Sequence, residues 1–194
     1  MKTDALLKYI SNYIDLTEDE EQILVSKIKY RKYLKGQYYG QQGDVCKYSG
    51  FLISGCTKMF YSDDNGQEHV VMFSIKDWWT GDLGSYISQN PADYHVQCIE
   101  ETEVIQFDYD KREELLTEIP KLERFFRIIL EKALVASQKR IIRNFSLTAK
   151  ERYLVFKKLY PTIEQQIPQY LIASYLGITK EFLSKIKSQL IFEQ

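Results

Sequence analysis

The chain has 194 residues, 26 basic and 27 acidic side chains and a formal net charge of −1, enough for one large or two small domains, each with its own core. No apolar run approaches the length of a membrane span, and MKTDALLKYISNYIDL carries acids and tyrosines where a secretion signal needs an apolar core, so a cytoplasmic protein without membrane contact is expected. Cys46, Cys56 and Cys98 are isolated, with no CxxC pair, which fits a reducing compartment and argues against a disulfide framework.

The first segment, from Met1 to about Lys29, reads as helical. Leu6, Leu7 and Ile10 recur at helical spacing, and Thr17 followed by Glu18, Asp19 and Glu20 is an N-cap with acids in the first turn. From Tyr30 to about Tyr109 the period changes to short aromatic and β-branched runs punctuated by glycines, the pattern of an antiparallel barrel or jelly roll. Asp63-Asp64-Asn65-Gly66 between two apolar runs predicts a hairpin with a primed turn. Val96, Cys98, Val104 and Ile105, with acids between them, predict a half-buried strand pair.

Residues 113–145 turn helical again, with Pro120 near the start of a long helix, where its missing N–H costs little. Leu122, Phe126, Ile129, Ala133 and Ala136 step by four and three, a heptad-like seam that we assign to a dimer helix. Phe125, Leu130, Leu134 and Ile141 form a second apolar row. One row can pack on the barrel and the other on a partner; the alternative is one helix buried on two sides of a monomer. Thr148, with Glu151 three residues on, is a capping box that opens the last helical unit.

Residues 167–190, IPQYLIASYLGITKEFLSKIKSQL, have the spacing of a helix-turn-helix. Ile172 and Leu176 face inward from the first helix, Ala173 sits at the close crossing, and Gly177 falls where a positive φ is wanted. Ile178 plugs the turn, and Leu183 and Ile186 face inward from the second helix. An ordinary amphipathic helix pair supplies the apolar periodicity, but it does not require both the alanine and the glycine. Charge is distributed to match: residues 137–194 hold ten bases and four acids, against sixteen and twenty-three in the rest. A basic module joined to an acidic one suits a DNA-binding part and a sensing part, although solvated charges also segregate by chance.

Taken in order, Gln42-Gly43-Asp44, Leu52-Ile53-Ser54-Gly55, Asp63-Asp64-Asn65-Gly66, Trp79-Thr80-Gly81-Asp82-Leu83 and the helix-turn-helix resemble the Crp/Fnr (catabolite activator protein) family of bacterial transcription regulators over essentially the whole chain. The resemblance implies an α+β fold. It comprises an N-terminal cyclic-nucleotide-binding-like antiparallel β-roll with N-terminal helices (1–118), a long dimerisation helix (119–145) and a C-terminal helix-turn-helix domain (146–194). It implies a homodimer that reads palindromic double-stranded DNA, with RNA polymerase and an unidentified small-molecule effector as further partners. The effector pocket would lie around Gly81, Asp82, Leu83 and Asp93. In cyclic-nucleotide-binding members an Arg-Ser pair holds the phosphate; here that position aligns near Ala92-Asp93, and no Lys or Arg occurs between Asp77 and Asp110. A cyclic phosphate wants a guanidinium or an oriented N–H cluster, so binding of cAMP or cGMP in the family manner is not expected.

Three cysteines, none before Cys46, leave no four-cysteine iron–sulfur site. His69 and His95 are the only histidines, and each is read as a surface or hydrogen-bonded residue rather than a haem ligand. No cofactor and no metal site are expected, and no catalytic constellation stands out. The residues end soon after Leu190, so the wing hairpin that usually follows is expected to be missing. The DNA-facing set is Gln169, Thr179, Lys180, Glu181, Ser184, Lys185 and Ser188. Lys180, Glu181 and Lys185 stand at the family's base-reading positions, and Gln169 and Thr179 near phosphates. Lys150, Arg152 and Lys187 would add general attraction. The rival reading is a small-molecule sensor whose C-terminal unit binds a protein partner.

Overall fold

The computed structural model describes residues 2–192; Met1, where the first helix is expected to begin, and residues 193–194 of the C-terminal unit lie outside them. Two short helices lead, α1 (Asp4–Ile10) and α2 (Glu18–Lys27). The Thr17 hydroxyl accepts the Glu20 N–H and the Glu20 carboxylate accepts the Thr17 N–H, a complete capping box.

Eight strands follow: β1 (Lys29–Tyr33), β2 (Tyr38–Gly40), β3 (Tyr48–Ser54), β4 (Cys56–Ser62), β5 (Glu68–Ile75), β6 (Trp79–Thr80), β7 (His95–Cys98) and β8 (Thr102–Asp108). They form two four-stranded antiparallel sheets, ordered β1-β8-β3-β6 and β2-β7-β4-β5, the expected β-roll. Two local readings change. The strands from His95 onward do not pair with each other: β7 pairs with β2 and β4, and β8 with β1 and β3. Alternating apolar residues fix which face is buried, not which strand lies alongside. The β4–β5 hairpin forms as expected, but Gly66 (φ 77°) alone takes the positive φ. The Asp63 carboxylate closes the turn by accepting the Asn65 and Gln67 N–H groups, so no primed pair is needed.

Helix α3 (Leu83–Ser88) sits between the sheets' connections, and α4 (Tyr109–Glu118) precedes the 26-residue α5 (Lys121–Ser146). Two halves of α5 differ. Leu122, Phe125 and Phe126 pack with Leu6, Leu24, Phe51 and Phe107 in the inner core. Residues 130–146 carry no buried side chain, with Leu134 60% and Phe145 87% exposed.

This corrects the expected seam at its first two positions. Leu122 and Phe126 are covered by the protomer's own core, and Ile129, Ala133 and Ala136 continue the same face over a cleft shared with the roll. At about 100° per residue the exposed Leu134, Ile141 and Phe145 lie on the other side. Both rows are buried at their start and open further on: Leu122, Phe125 and Phe126 are covered, while Ala133 and Ala136 of the first row and Leu130, Leu134 and Ile141 of the second are exposed.

The C-terminal unit comprises α6 (Ala149–Leu159), a short α7 (Ile163–Gln166), α8 (Gln169–Leu176) and α9 (Lys180–Phe192). Thr148 and Glu151 form the predicted capping box. Phe73 of β5 packs against Phe156, Tyr160 and Tyr175, joining this unit to the roll in one apolar cluster. The Ser174 hydroxyl adds a polar tie: it accepts the Val70 N–H (2.9 Å) and donates to the Glu68 carbonyl (2.8 Å). Because β5 is an edge strand, α8 thereby covers backbone groups that would otherwise be open to pairing. Among the described residues no helix is long and apolar enough to cross a membrane.

Candidate nucleic-acid interface and effector site

Helices α8 and α9 meet through Ile172, Ala173, Leu176, Leu183 and Ile186, all buried. Gly177 ends α8 in the left-handed region (φ 66°, ψ 37°), and its N–H reaches the Ser174 carbonyl while the Ile178 N–H reaches that of Ala173, the usual glycine termination. Thr179 then starts α9: its hydroxyl accepts the Phe182 N–H at 3.2 Å.

With the apolar side of α9 committed inward, Lys180, Glu181, Ser184, Lys185 and Ser188 are all exposed, as are Thr179 and Gln169 at the first turns of the two helices. The helix's own N-terminal N–H and the Thr179 hydroxyl hold the Glu181 carboxyl below its ordinary value, leaving an ionised acceptor. Ser188 donates to the Ser184 carbonyl. Two of the flanking cations are engaged elsewhere. Lys187 pairs with Glu164 at 2.8 Å, and Glu164 also accepts from the Tyr153 hydroxyl. Arg152 donates to the Asn144 and Leu147 carbonyls at the α5–α6 junction. The Lys187 charge is thus paired within the unit, whereas Arg152 has carbonyl partners and keeps its charge.

The expected effector residues come together only in part. Asp82, 6% exposed, caps α3: one carboxylate oxygen accepts the Ser85 N–H, and the other accepts those of Asp93 (2.9 Å) and Tyr94 (3.3 Å). Asp93 contributes that N–H while its own side chain is exposed, and Leu83 is also exposed. Of these two acids, Asp82 is the buried one and Asp93 the exposed one. Beside Asp82 the roll interior holds Tyr39, whose hydroxyl donates to the Tyr48 carbonyl at 3.1 Å. A Cβ on Gly50 would lie 2.7 Å from the Tyr39 oxygen, and one on Gly81 3.5 Å from the Tyr39 ring. Glycine at position 50 makes room for the tyrosine. Nothing marks Tyr39 out among the chain's fifteen tyrosines; its role depends on sheet geometry.

The histidines both have structural partners. His69 meets the Asp63 carboxylate at 2.9 Å, and His95 accepts the Gln42 N–H and stacks on Phe60. All three cysteines are free and buried. Burial pushes the Cys46 and Cys56 thiols up and the Cys98 thiol to about 11, away from the thiolate form that binds metal.

Residues 30–118 match the cyclic nucleotide-binding domain model. The chain is 25% identical over 122 residues to the transcriptional activator protein Anr of Pseudomonas protegens, covering 63% of this chain and 49% of that protein. It is 23% identical over 163 residues to the transcriptional activator protein FnrA of Stutzerimonas stutzeri, covering 78% and 66%. In these matches the chain is similar to transcription regulators of the Crp/Fnr type. It spans between half and two-thirds of the length of these curated relatives. Among solved structures, the chain shares its fold with the c-di-GMP responsive global regulator CLP of Xanthomonas campestris, with a TM-score of 0.73, 14% identity and coverage of 91% and 93%. FixK2 of Bradyrhizobium japonicum gives a TM-score of 0.73, 16% identity and coverage of 86% and 85%.

Proposed function

We propose that this chain is a DNA-binding transcription regulator of the Crp/Fnr type that acts as a homodimer on a palindromic site. The observation that carries the reading is the exposed polar face of α9, presented by a helix-turn-helix whose Leu183 and Ile186 are buried in the crossing with α8. Glu181 offers an acceptor to a cytosine amino group, and Lys180 and Lys185 offer donors to guanine O6 and N7. Gln169 and Thr179 start their helices where phosphates are met. The activator names of the relatives support the same reading. The outward stripe Leu134, Ile141 and Phe145 on α5 is the surface a second copy covers, placing two recognition helices about 34 Å apart.

Cyclic nucleotides do not control it in the family manner. A buried Asp82 carboxylate disfavours a second negative charge beside it, Tyr39 packs against Gly50 and Gly81, and no cation occurs in the sequence between Asp77 and Asp110. Selection of bound duplexes from a random pool tests the proposal. It should return an inverted repeat with half-sites about 10 base pairs apart centre to centre. Recovery of unrelated sequences would favour the rival reading, in which the C-terminal unit binds a protein.

A further inference from the structure

The short helix α7 lies between α6 and α9 in the chain, and its one acid joins them in space. Ile163 and Ile167, four residues apart, are buried in the same apolar cluster as Leu183 and Ile186 of α9, so the backbone is anchored on both sides of Glu164. The Glu164 Oε1 accepts the Tyr153 hydroxyl of α6 and meets the Lys187 ammonium of α9 at 2.8 Å. Tyr153 is buried, and the side chains of Glu164 and Lys187 are only 17% and 29% exposed. An ordinary surface ion pair is weakened by solvent screening; this one is largely withdrawn from water. Burial pushes the Glu164 carboxyl up, but Lys187 and the Tyr153 hydroxyl outweigh it and hold the carboxyl below its ordinary value. Lys157, 5.9 Å from the centre of the Tyr153 ring, adds its charge from α6.

Lys187 stands at the border of the α9 polar face. At about 100° per residue it follows Lys180 by nearly two turns and lies within about 20° of it around the helix. On one side of it Lys180 and Ser184 are exposed, and on the other Leu183 and Ile186 are buried. A free cation at that border would meet phosphates beside any sequence and add affinity without discrimination. Its charge is instead turned inward to Glu164. The crossing of α9 with α8 is made by apolar contacts, which are non-directional. A charged hydrogen bond to an anchored acid is directional, and it ties the rotation of α9 about its own axis to α6.

We propose that Glu164 is a positioning residue that sets DNA specificity: it withholds Lys187 from phosphates and fixes the rotation of α9, so that base contacts rather than general attraction decide where the chain binds. The inference rests on the DNA reading proposed above and adds to it a residue that acts through another.

The full chain, Glu164→Gln and Lys187→Gln are titrated onto the selected duplex and a random one by fluorescence anisotropy over a salt series. Glu164→Gln keeps the shape and an acceptor for the Tyr153 hydroxyl while releasing Lys187. Its affinity for the random duplex should rise several-fold, its log–log salt slope should steepen by about one, and its preference for the selected duplex should fall at least about threefold. Lys187→Gln should lose preference likewise without a change of slope, because it removes a cation that does not touch DNA. Loosened structure alone would weaken both duplexes and would not steepen the slope. A thermal transition like that of the unaltered chain certifies each variant, and Lys187→Gln carries the test if Glu164→Gln does not fold. Three results overturn the proposal and leave DNA reading intact: unchanged slope and preference in Glu164→Gln, unchanged preference in Lys187→Gln, or a slope shallower by about one in Lys187→Gln, the mark of a lysine already on a phosphate. Binding by the unaltered chain that is independent of salt and sequence would remove the DNA reading itself, and this inference with it.

Discussion

Asp82 and Glu181 are both acids at the start of a helix, and they are used in opposite ways. Asp82 begins α3 inside the protein, with three backbone N–H groups on its carboxylate. Glu181 lies in the first turn of α9 on an exposed face, next to Lys180 and Lys185. The same contrast separates the two regions. Inside the roll, the Asp82 carboxylate is satisfied by the protein's own backbone, and Tyr39 packs nearby. On α9 the polar groups are left for another molecule. The buried acid is thus held by the protein itself, and the exposed one is open to solvent.

The strongest perturbation is at the junction of the two regions. Phe73→Ala removes a fully buried ring that touches Phe156, Tyr160 and Tyr175 and should destabilise the protein by about 3–5 kcal/mol in denaturant titration. A loss well under 1 kcal/mol would show that the helical unit does not rest on the roll. Tyr39→Ala asks whether the tyrosine alone closes the roll. It should cost about 3 kcal/mol and still confer no calorimetric binding of cAMP, because Asp82 remains and no cation is added. Saturable micromolar binding would make the tyrosine the sole barrier.

The exposed half of α5 is tested by Leu134→Glu with Ile141→Glu. Sedimentation should change from dimer to monomer at micromolar concentration, since two carboxylates would have to be buried in the shared surface, while the thermal transition of the roll is kept. The smallest effect concerns the open helix itself. Glu181→Ala should relax preference at a single base pair by about 1–3 kcal/mol, read by competition between duplexes that differ at one position.

Which of these features can be read from residue order depends on how far apart the contacting groups lie. Ile172, Ala173, Gly177, Leu183 and Ile186 define the helix-turn-helix within fifteen residues, and both capping boxes span three; local spacing determines such features. The seam on α5 was legible as a face, but period alone does not say what the face meets, and Leu122 and Phe126 meet the protomer's own core. Lys187 reads as a solvated cation until Glu164, contributed by a separate short helix, is placed beside it. Ser174 reaches β5 across 104 to 106 residues of chain. Its role follows only from the edge position of that strand.

The central claim, that α9 reads DNA, is tested most directly by fluorescence anisotropy on the selected duplex and a random one, across a salt series, for the unaltered chain and for Glu181→Ala and Lys185→Ala. The account predicts that affinity falls steeply and log-linearly with salt for both duplexes, that the selected duplex is preferred, and that either substitution erodes that preference. Equal affinity for both duplexes with no dependence on salt would contradict it.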